Sequence, residues 1–186
     1  MYDESDEGGL SRGLQTFLDR GSPPVLFTPG SANRAAASFF AEALDATRRL
    51  GRRALFLTPY PEQLPGTLGP DAWHEPYVPF SQVVPHCSAI VHHGGIGTCA
   101  QGLAGGVPQL TMPLGFDQPD NTTQLWRLGV ARWVRPDVFR GERVATELAA
   151  LLGDALVAAR CGHWAQEIRR SDPVAETCVM LEALIP

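Results

Sequence analysis

The sequence contains no lysine, so all 15 of its cationic side chains are arginines. This absence excludes Walker-A phosphate binding, Schiff-base chemistry and pyridoxal-type catalysis, because each of them needs a lysine. The net charge is −5 and the arginines are scattered, so the chain also lacks the basic stripe of a nucleic-acid-binding protein. We therefore expect no nucleic acid among its partners.

Paired cysteines and long apolar runs are also missing. The four cysteines form no CxxC pair, and a chain of 186 residues does not need disulfides to fold, so we expect free thiols in a reducing compartment. No apolar run reaches the roughly 18 residues of a membrane-spanning helix. Residues 1–9 are acidic and polar, unlike a signal peptide. These features predict a soluble, cytoplasmic protein without a membrane segment, which is compatible with a peripheral membrane acceptor.

Short apolar runs alternate with helical patterns along the chain. This alternation predicts right-handed βαβ crossovers and an open parallel sheet with helices on both faces, a Rossmann-like α/β fold. Residues 1–21 are interpreted as a lead-in segment, and 22–186 as one domain. The predicted strands are 24–28, 53–58, 72–78, 88–92, 108–112 and 131–134. The predicted helices are 34–50, one ending near 105, 121–128, 142–152, 154–170 and 173–184.

No charged residue occurs between 76 and 116. Such a stretch is typical of a parallel sheet that is buried on both faces. This one also contains polar side chains that a pure core does not need, namely His86, His92, His93, Gln82, Gln101 and Gln109. Ligands of Rossmann-like folds bind beyond the carboxyl ends of the strands, where the loops 29–33, 59–70, 92–98 and 113–120 are expected. The sequence therefore predicts a neutral, polar site at that edge of the sheet.

A glycine-rich loop with Gly95, Gly97 and Thr98 lies between a buried strand and a helix start. Glycines expose backbone N–H groups, and the helix N-terminus adds about half a positive charge, so this loop can hold phosphate without a cation. His93 directly precedes the glycines and is interpreted as a phosphate donor, whereas His92 is interpreted as structural. Residues 95–100 also fit G-x-G-x-x-A, a weak dinucleotide fingerprint that leaves an oxidoreductase as an alternative.

Two further loops carry candidate ligand contacts. Ser31 and Asn33 precede a predicted helix, either as its N-cap or as a second set of phosphate contacts. Asp117 and Gln118 offer acceptors and donors suited to adjacent sugar hydroxyls. The other interpretation of Asp117 is an N-cap of the following helix.

Four blocks of sequence, in this order and spacing, resemble the nucleotide-sugar-binding half of family-1 glycosyltransferases. The blocks are 77–85 (YVPFSQVVP), 92–98 (HHGGIGT), 105–109 (GGVPQ) and 113–121 (PLGFDQPDN). These GT-B enzymes include antibiotic, sterol, rhamnolipid-type and plant glycosyltransferases. The resemblance extends from about 25 to 152, and residues 27–32 (FTPGSA) are most similar to the bacterial rhamnosyl and sterol branch.

The resemblance implies a role for each site residue. The donor diphosphate would be bound by His93, Gly95, Gly97, Thr98 and Ser31. The base and ribose would be bound by Tyr77, Val78 and Gln101, and the transferred hexose by Asp117 and Gln118. Gln101 and Tyr77 stand where plant relatives carry a glutamate and a tryptophan, which leaves the base open between uracil and thymine.

The resemblance also implies what lies outside this chain. GT-B enzymes have two domains, and the catalytic histidine belongs to the first, so we expect no catalytic residue here and an N-terminal acceptor-binding domain as partner. The chain is expected to bind a UDP- or dTDP-sugar, with no metal or other cofactor, and to transfer nothing alone. A non-catalytic nucleotide-sugar sensor is the alternative. The last predicted helix either contacts the other domain or belongs to the core.

Overall fold

The computed structural model describes residues 9–184. Its centre is a six-stranded, fully parallel sheet with the strand order β3-β2-β1-β4-β5-β6. The strands are β1 (Val25–Thr28), β2 (Ala54–Leu57), β3 (Ala72–Glu75), β4 (Ala89–His92), β5 (Gln109–Thr111) and β6 (Ala131–Trp133). The strand order reverses between β1 and β4, which confirms the predicted Rossmann-like sheet and places a crevice at that point.

Eight α-helices connect and cover the strands in the described range. They are α1 (Arg12–Asp19), α2 (Ala37–Leu50), α3 (Phe80–Val83), α4 (Ile96–Gly105), α5 (Gln118–Arg127), α6 (Gly141–Gly153), α7 (Ala155–Arg170) and α8 (Pro173–Glu182). Helices α2 and α6 pack on one face of the sheet, and α1 and α3 on the other. Helices α4, α5 and α7 enclose a third apolar cluster beside β6. The helices therefore cover both faces, as predicted.

Alternate residues of each strand enter different cores. In β1, Val25 and Phe27 belong to the cluster with α2 and α6, whereas Leu26 belongs to the cluster with α1. All three side chains are fully buried. A strand covered on both faces needs an apolar side chain at every position, which explains the continuous apolar runs of the sequence.

Two element boundaries differ from the prediction because of prolines. Strand β3 ends at Glu75 rather than at 78, since Pro76 has no N–H to give to a sheet. Helix α5 begins at Gln118 rather than at 121, because Pro119 fits the first turn of a helix.

Helix α1 corrects the interpretation of residues 1–21 as a lead-in segment. Leu14 of this helix is fully buried, and the Phe17 ring stacks on the Trp73 ring, with the two ring centroids 5.8 Å apart. The Arg53 guanidinium donates to the carbonyls of Phe17 and Ser22. Arg12–Asp19 is therefore part of the folded core, while residues 1–8 lie outside the described residues.

Helix α8 is apolar but does not join any core. Val174, Cys178, Leu181 and Leu184 are exposed, so the interpretation of this helix as ordinary core is wrong for these residues. At ten residues α8 is short, and no helix within 9–184 is both long and apolar enough to cross a membrane.

We expect Leu14→Ala to lower the free energy of unfolding by about 2–5 kcal/mol, the usual cost of removing a buried leucine side chain. Denaturant unfolding followed by circular dichroism measures this loss. Gln15→Ala, at an exposed position of the same helix, is the control and should stay within about 0.5 kcal/mol of wild type. A similarly small change for Leu14→Ala would show that α1 is not docked in solution.

Candidate functional site

A cavity of about 550 Å³ lies at the carboxyl ends of β1, β2, β3 and β4. It occupies the crevice where the strand order reverses, the place at which open α/β sheets bind ligands. Seven of the residues singled out in the sequence line it, namely Ser31, Asn33, Tyr77, Val78, His93, Thr98 and Gln118. Among the described residues that line this cavity, none is charged. The cavity therefore has no charged residue among those described in its wall, as predicted, but apolar residues such as Leu57, Val78 and Phe80 share that wall with the polar ones.

The N-terminus of α4 opens beside this cavity. Gly95 occupies the N-cap position and has no side chain, and the first helical hydrogen bond runs from the Cys99 N–H to the Gly95 carbonyl (3.0 Å). The N–H groups of Ile96, Gly97 and Thr98 consequently have no intrahelical acceptor. These donors, together with the helix dipole, form an anion-binding site built from backbone alone.

The His93 ring is packed between two glycines. A Cβ at Gly30 would lie 2.7 Å from its Cε1, and one at Gly95 would lie 2.5 Å from its Nε2, so neither position has room for a side chain. Gly30 also has a φ of +93°, which favours glycine for a second reason. Glycine at both positions therefore leaves room for the His93 ring at the cavity wall.

His93 has an unsatisfied polar atom. Among residues 9–184, its Nδ1 is the single buried side-chain nitrogen or oxygen without a hydrogen-bond partner. Burial lowers the pKa of His93 below its ordinary value, and the charge of Asp117 opposes this shift. The ring is neutral at pH 7 and carries one N–H donor. Because an unsatisfied buried polar atom costs stability, this nitrogen indicates a place for a ligand.

His92 is held by two hydrogen bonds in a fully buried position. Its Nε2 lies 2.9 Å from Oε1 of Gln109, and its Nδ1 lies 3.1 Å from the Gly94 nitrogen. The Gly94 N–H can only donate, so Nδ1 accepts and Nε2 carries the proton. Burial lowers the pKa of His92 to about 3, which keeps the ring neutral. These contacts confirm the structural role predicted for His92.

The start of α5 presents the two candidate sugar contacts differently from expectation. Asp117 occupies the N-cap position of α5 but makes no capping bond, and its Oδ2 accepts instead from Nδ2 of Asn121 (2.7 Å). Gln118 uses Oε1 to accept from the backbone N–H groups of Leu114 (2.7 Å) and Gly115 (3.3 Å). The Gln118 amide nitrogen is left as the donor for a ligand.

Ser31 and Asn33 do not cap the helix that follows them. Helix α2 begins at Ala37, and its N-cap residue has no side-chain hydrogen bond. Oδ1 of Asn33 accepts from the Ala35 N–H within the loop (3.0 Å), while Ser31 lines the cavity. The N-cap interpretation is therefore wrong for both, and a phosphate contact by Ser31 stays a prediction.

Four predicted site residues are near the cavity without lining it. Gln101 is buried within α4, and Asp117 is exposed at the start of α5. Gly95 contributes through the packing of His93. A Cβ at Gly97 would meet nothing within 4 Å, so glycine is not required there for space. The roles assigned to these residues stay predictions.

Three residues that organise the site were not singled out as site residues in the sequence. Gly30 makes room for His93, Gln109 binds His92, and Asn121 donates to the carbonyl of Gly94 (3.0 Å). For Gln109 a signal exists, because an amide side chain in a predicted buried strand needs a partner, and His92 in the neighbouring strand is one.

Comparisons with known proteins agree with this geometry. Residues 64–184 match the family model described as erythromycin biosynthesis protein CIII-like, C-terminal domain. O-mycaminosyltylonolide 6-deoxyallosyltransferase of Streptomyces fradiae is 34% identical over 173 residues, which cover 91% of this chain and 40% of that enzyme.

Solved structures show the same fold. The glycotransferase of kitacinnamycin superposes with a TM-score of 0.79 at 24% identity and covers 100% of this chain, which spans 48% of that one. Spinosyn rhamnosyltransferase SpnG complexed with thymidine diphosphate gives 0.72 at 25% identity, over 86% of this chain and 45% of that one. The chain therefore spans less than half the length of these relatives, and its fold is one half of a GT-B fold.

We expect His92 to lower the free energy of unfolding as pH falls below about 6.5. The ring binds a proton at its ordinary pKa of 6.5 when unfolded, but only at about 3 when folded, so protons favour the unfolded state in between. Its contribution is complete above pH 6.5 and is lost as pH falls towards 3. Wild type should lose about 1.4 kcal/mol per pH unit more than His92→Asn between about pH 6 and pH 4, measured by urea unfolding. Equal slopes would contradict a neutral buried His92.

Proposed function

Because the chain belongs to the erythromycin biosynthesis protein CIII-like, C-terminal domain family of GT-B glycosyltransferases, we propose that it is the donor-binding half of an inverting hexosyltransferase. The donor is a UDP- or dTDP-sugar, and the hexose passes to an acceptor hydroxyl. Within the complete enzyme, this half binds the nucleotide and stabilises the diphosphate as it leaves.

The observation that carries this proposal is the neutral anion site beside His93. The uncapped N–H groups of α4 lie beside the cavity, and His93, whose buried Nδ1 has no hydrogen-bond partner, is one of the residues that line it; none of the described lining residues is a cation. A departing nucleoside diphosphate gains negative charge in the transition state. Fixed donors that already face that charge lower the barrier without reorganisation. Ser31 approaches the same phosphates from the loop after β1.

We assign the remaining contacts to loops near the cavity. Tyr77 and Val78, after β3, are assigned to the base, and Asp117 and Gln118, at the start of α5, to hydroxyls of the hexose. Gln101 is left out of these assignments, because it is buried in α4 and does not line the cavity. The thymidine diphosphate bound by the spinosyn rhamnosyltransferase supports dTDP as the first nucleotide to test.

The rest of the reaction needs a second domain. A histidine of an N-terminal acceptor-binding domain would deprotonate the acceptor hydroxyl, whose oxygen attacks the anomeric carbon and inverts it. The chain covers 40% of the Streptomyces fradiae enzyme, which leaves length for such a domain. The exposed apolar residues of α8, such as Val174 and Leu181, are proposed to contact it. We place this enzyme in the cytoplasm, where free thiols such as Cys87 persist.

We expect His93→Ala to weaken dTDP binding by about 1–3 kcal/mol, the range for a lost hydrogen bond to a charged group. Isothermal titration calorimetry on wild type and variant measures the difference. His163→Ala, an exposed histidine on α7 that does not line the cavity, is the matched control and should bind like wild type. A folded His93→Ala variant with wild-type affinity would remove His93 from the donor site.

A further inference from the structure

A continuous chain of hydrogen bonds runs beneath the glycine loop, from helix α4 to helix α5. Its members, in order, are Cys99, Gln109, His92, Gly94, Asn121 and Asp117. His92 and Gln109 are fully buried, and neither they nor Asn121 lines the cavity. These three side chains therefore lie behind the donor site rather than in it.

The donor and the acceptor of each bond between Cys99 and Gly94 can be assigned by starting from the Cys99 carbonyl. The carbonyl of Cys99 can only accept, so Nε2 of Gln109 faces it (3.1 Å) and Oε1 of Gln109 faces His92. His92 must then donate from Nε2 (2.9 Å), which leaves Nδ1 as an acceptor for the Gly94 N–H. Gln109 thus selects the one neutral form of His92 that can bind Gly94.

Gly94 is held at both of its polar groups. Its N–H donates to His92, and its carbonyl accepts from Nδ2 of Asn121. Its φ is +89°, and a Cβ would approach the Gln118 carbonyl and Oγ1 of Thr122 to 3.1 Å, so a larger residue would be strained and crowded. The neighbours of Gly94 in sequence are His93 and Gly95, the two residues that frame the anion site.

Asn121 extends this chain of hydrogen bonds to Asp117, the residue assigned to the hexose. Its Nδ2 carries two hydrogens, one directed to Gly94 and one to Oδ2 of Asp117 (2.7 Å). The carboxylate of Asp117 and the glycine loop are thereby tied to one amide group. A shift of the loop would displace the carboxylate as well.

We propose that His92, Gln109 and Asn121 are positioning residues that hold the diphosphate loop and Asp117 in one fixed arrangement. This inference rests on the proposed function, because it assigns the loop to a nucleoside diphosphate. Backbone donors bind an anion well only when they are already aligned, since otherwise binding must also order the loop.

The test uses two variants, Gln109→Leu and Asn121→Ala, which interrupt the chain of hydrogen bonds on opposite sides of Gly94. Asn121 is only partly buried, so its variant remains informative if Gln109→Leu does not fold. NMR titrations of the ¹⁵N-labelled chain give affinities for dTDP and for thymidine, which has no phosphate. A separate NMR hydrogen-exchange experiment on the same labelled protein gives the exchange rate of the Gly94 amide.

We expect each variant to bind dTDP about tenfold more weakly, the effect of roughly one lost hydrogen bond, with thymidine binding changed less than about twofold. The Gly94 amide should exchange about tenfold faster in Gln109→Leu for the same reason. Leu148→Ala, in the core on the other face of the sheet, is a control that lowers stability and should leave the ratio of dTDP to thymidine affinity unchanged.

Three results would overturn the proposal, and they differ from one another. Unchanged dTDP affinity in both folded variants would show that the chain of bonds does not position the loop. An equal loss for dTDP and thymidine would show general destabilisation instead. If wild type itself fails to bind dTDP or UDP, the proposed function fails, and this inference fails with it.

Discussion

The peptide units on either side of Gly94 are the parts of the structure on which the site depends. A hydrogen bond from the Gly94 N–H to a neutral histidine, and one from an asparagine to the Gly94 carbonyl, fix this left-handed glycine just after β4. From there the chain turns directly into α4, so the direction of the helix N-terminus relative to the sheet is set at this residue. The cavity, the packing of His93 and the open N–H groups of α4 all follow from that turn.

A site without cations needs such a fixed loop more than a charged site does. An arginine attracts phosphate from several directions, whereas a backbone N–H group contributes only when it points at the oxygen. In this cavity, aligned neutral donors stand in place of cationic side chains. They are the backbone N–H groups in the first turn of α4 and the ring of His93.

The sequence predicted the parts of this protein that depend on local pattern. Continuous apolar runs marked the strands, and the loop with Gly95 and Thr98 marked the helix N-terminus beside the cavity. Helix α1 was overlooked, although Leu14, Phe17 and Leu18 already show helical spacing. The sequence indicates that Gln109, in a buried strand, needs a partner, but the choice of His92 as that partner depends on the pairing of β4 with β5, which local pattern does not reveal. The side chain of Asp117 likewise binds Asn121 rather than capping α5, a choice made by the loop geometry.

The central claim is that this half of a GT-B enzyme contains a preformed site for a nucleoside diphosphate. Calorimetric titration of the wild-type chain with dTDP and with UDP, and with NADH as a control, tests it most directly. The account predicts binding of at least one diphosphate with a Kd on the order of micromolar, about −8 kcal/mol, and no binding of NADH. A folded chain that binds neither diphosphate, or that binds NADH instead, would contradict it.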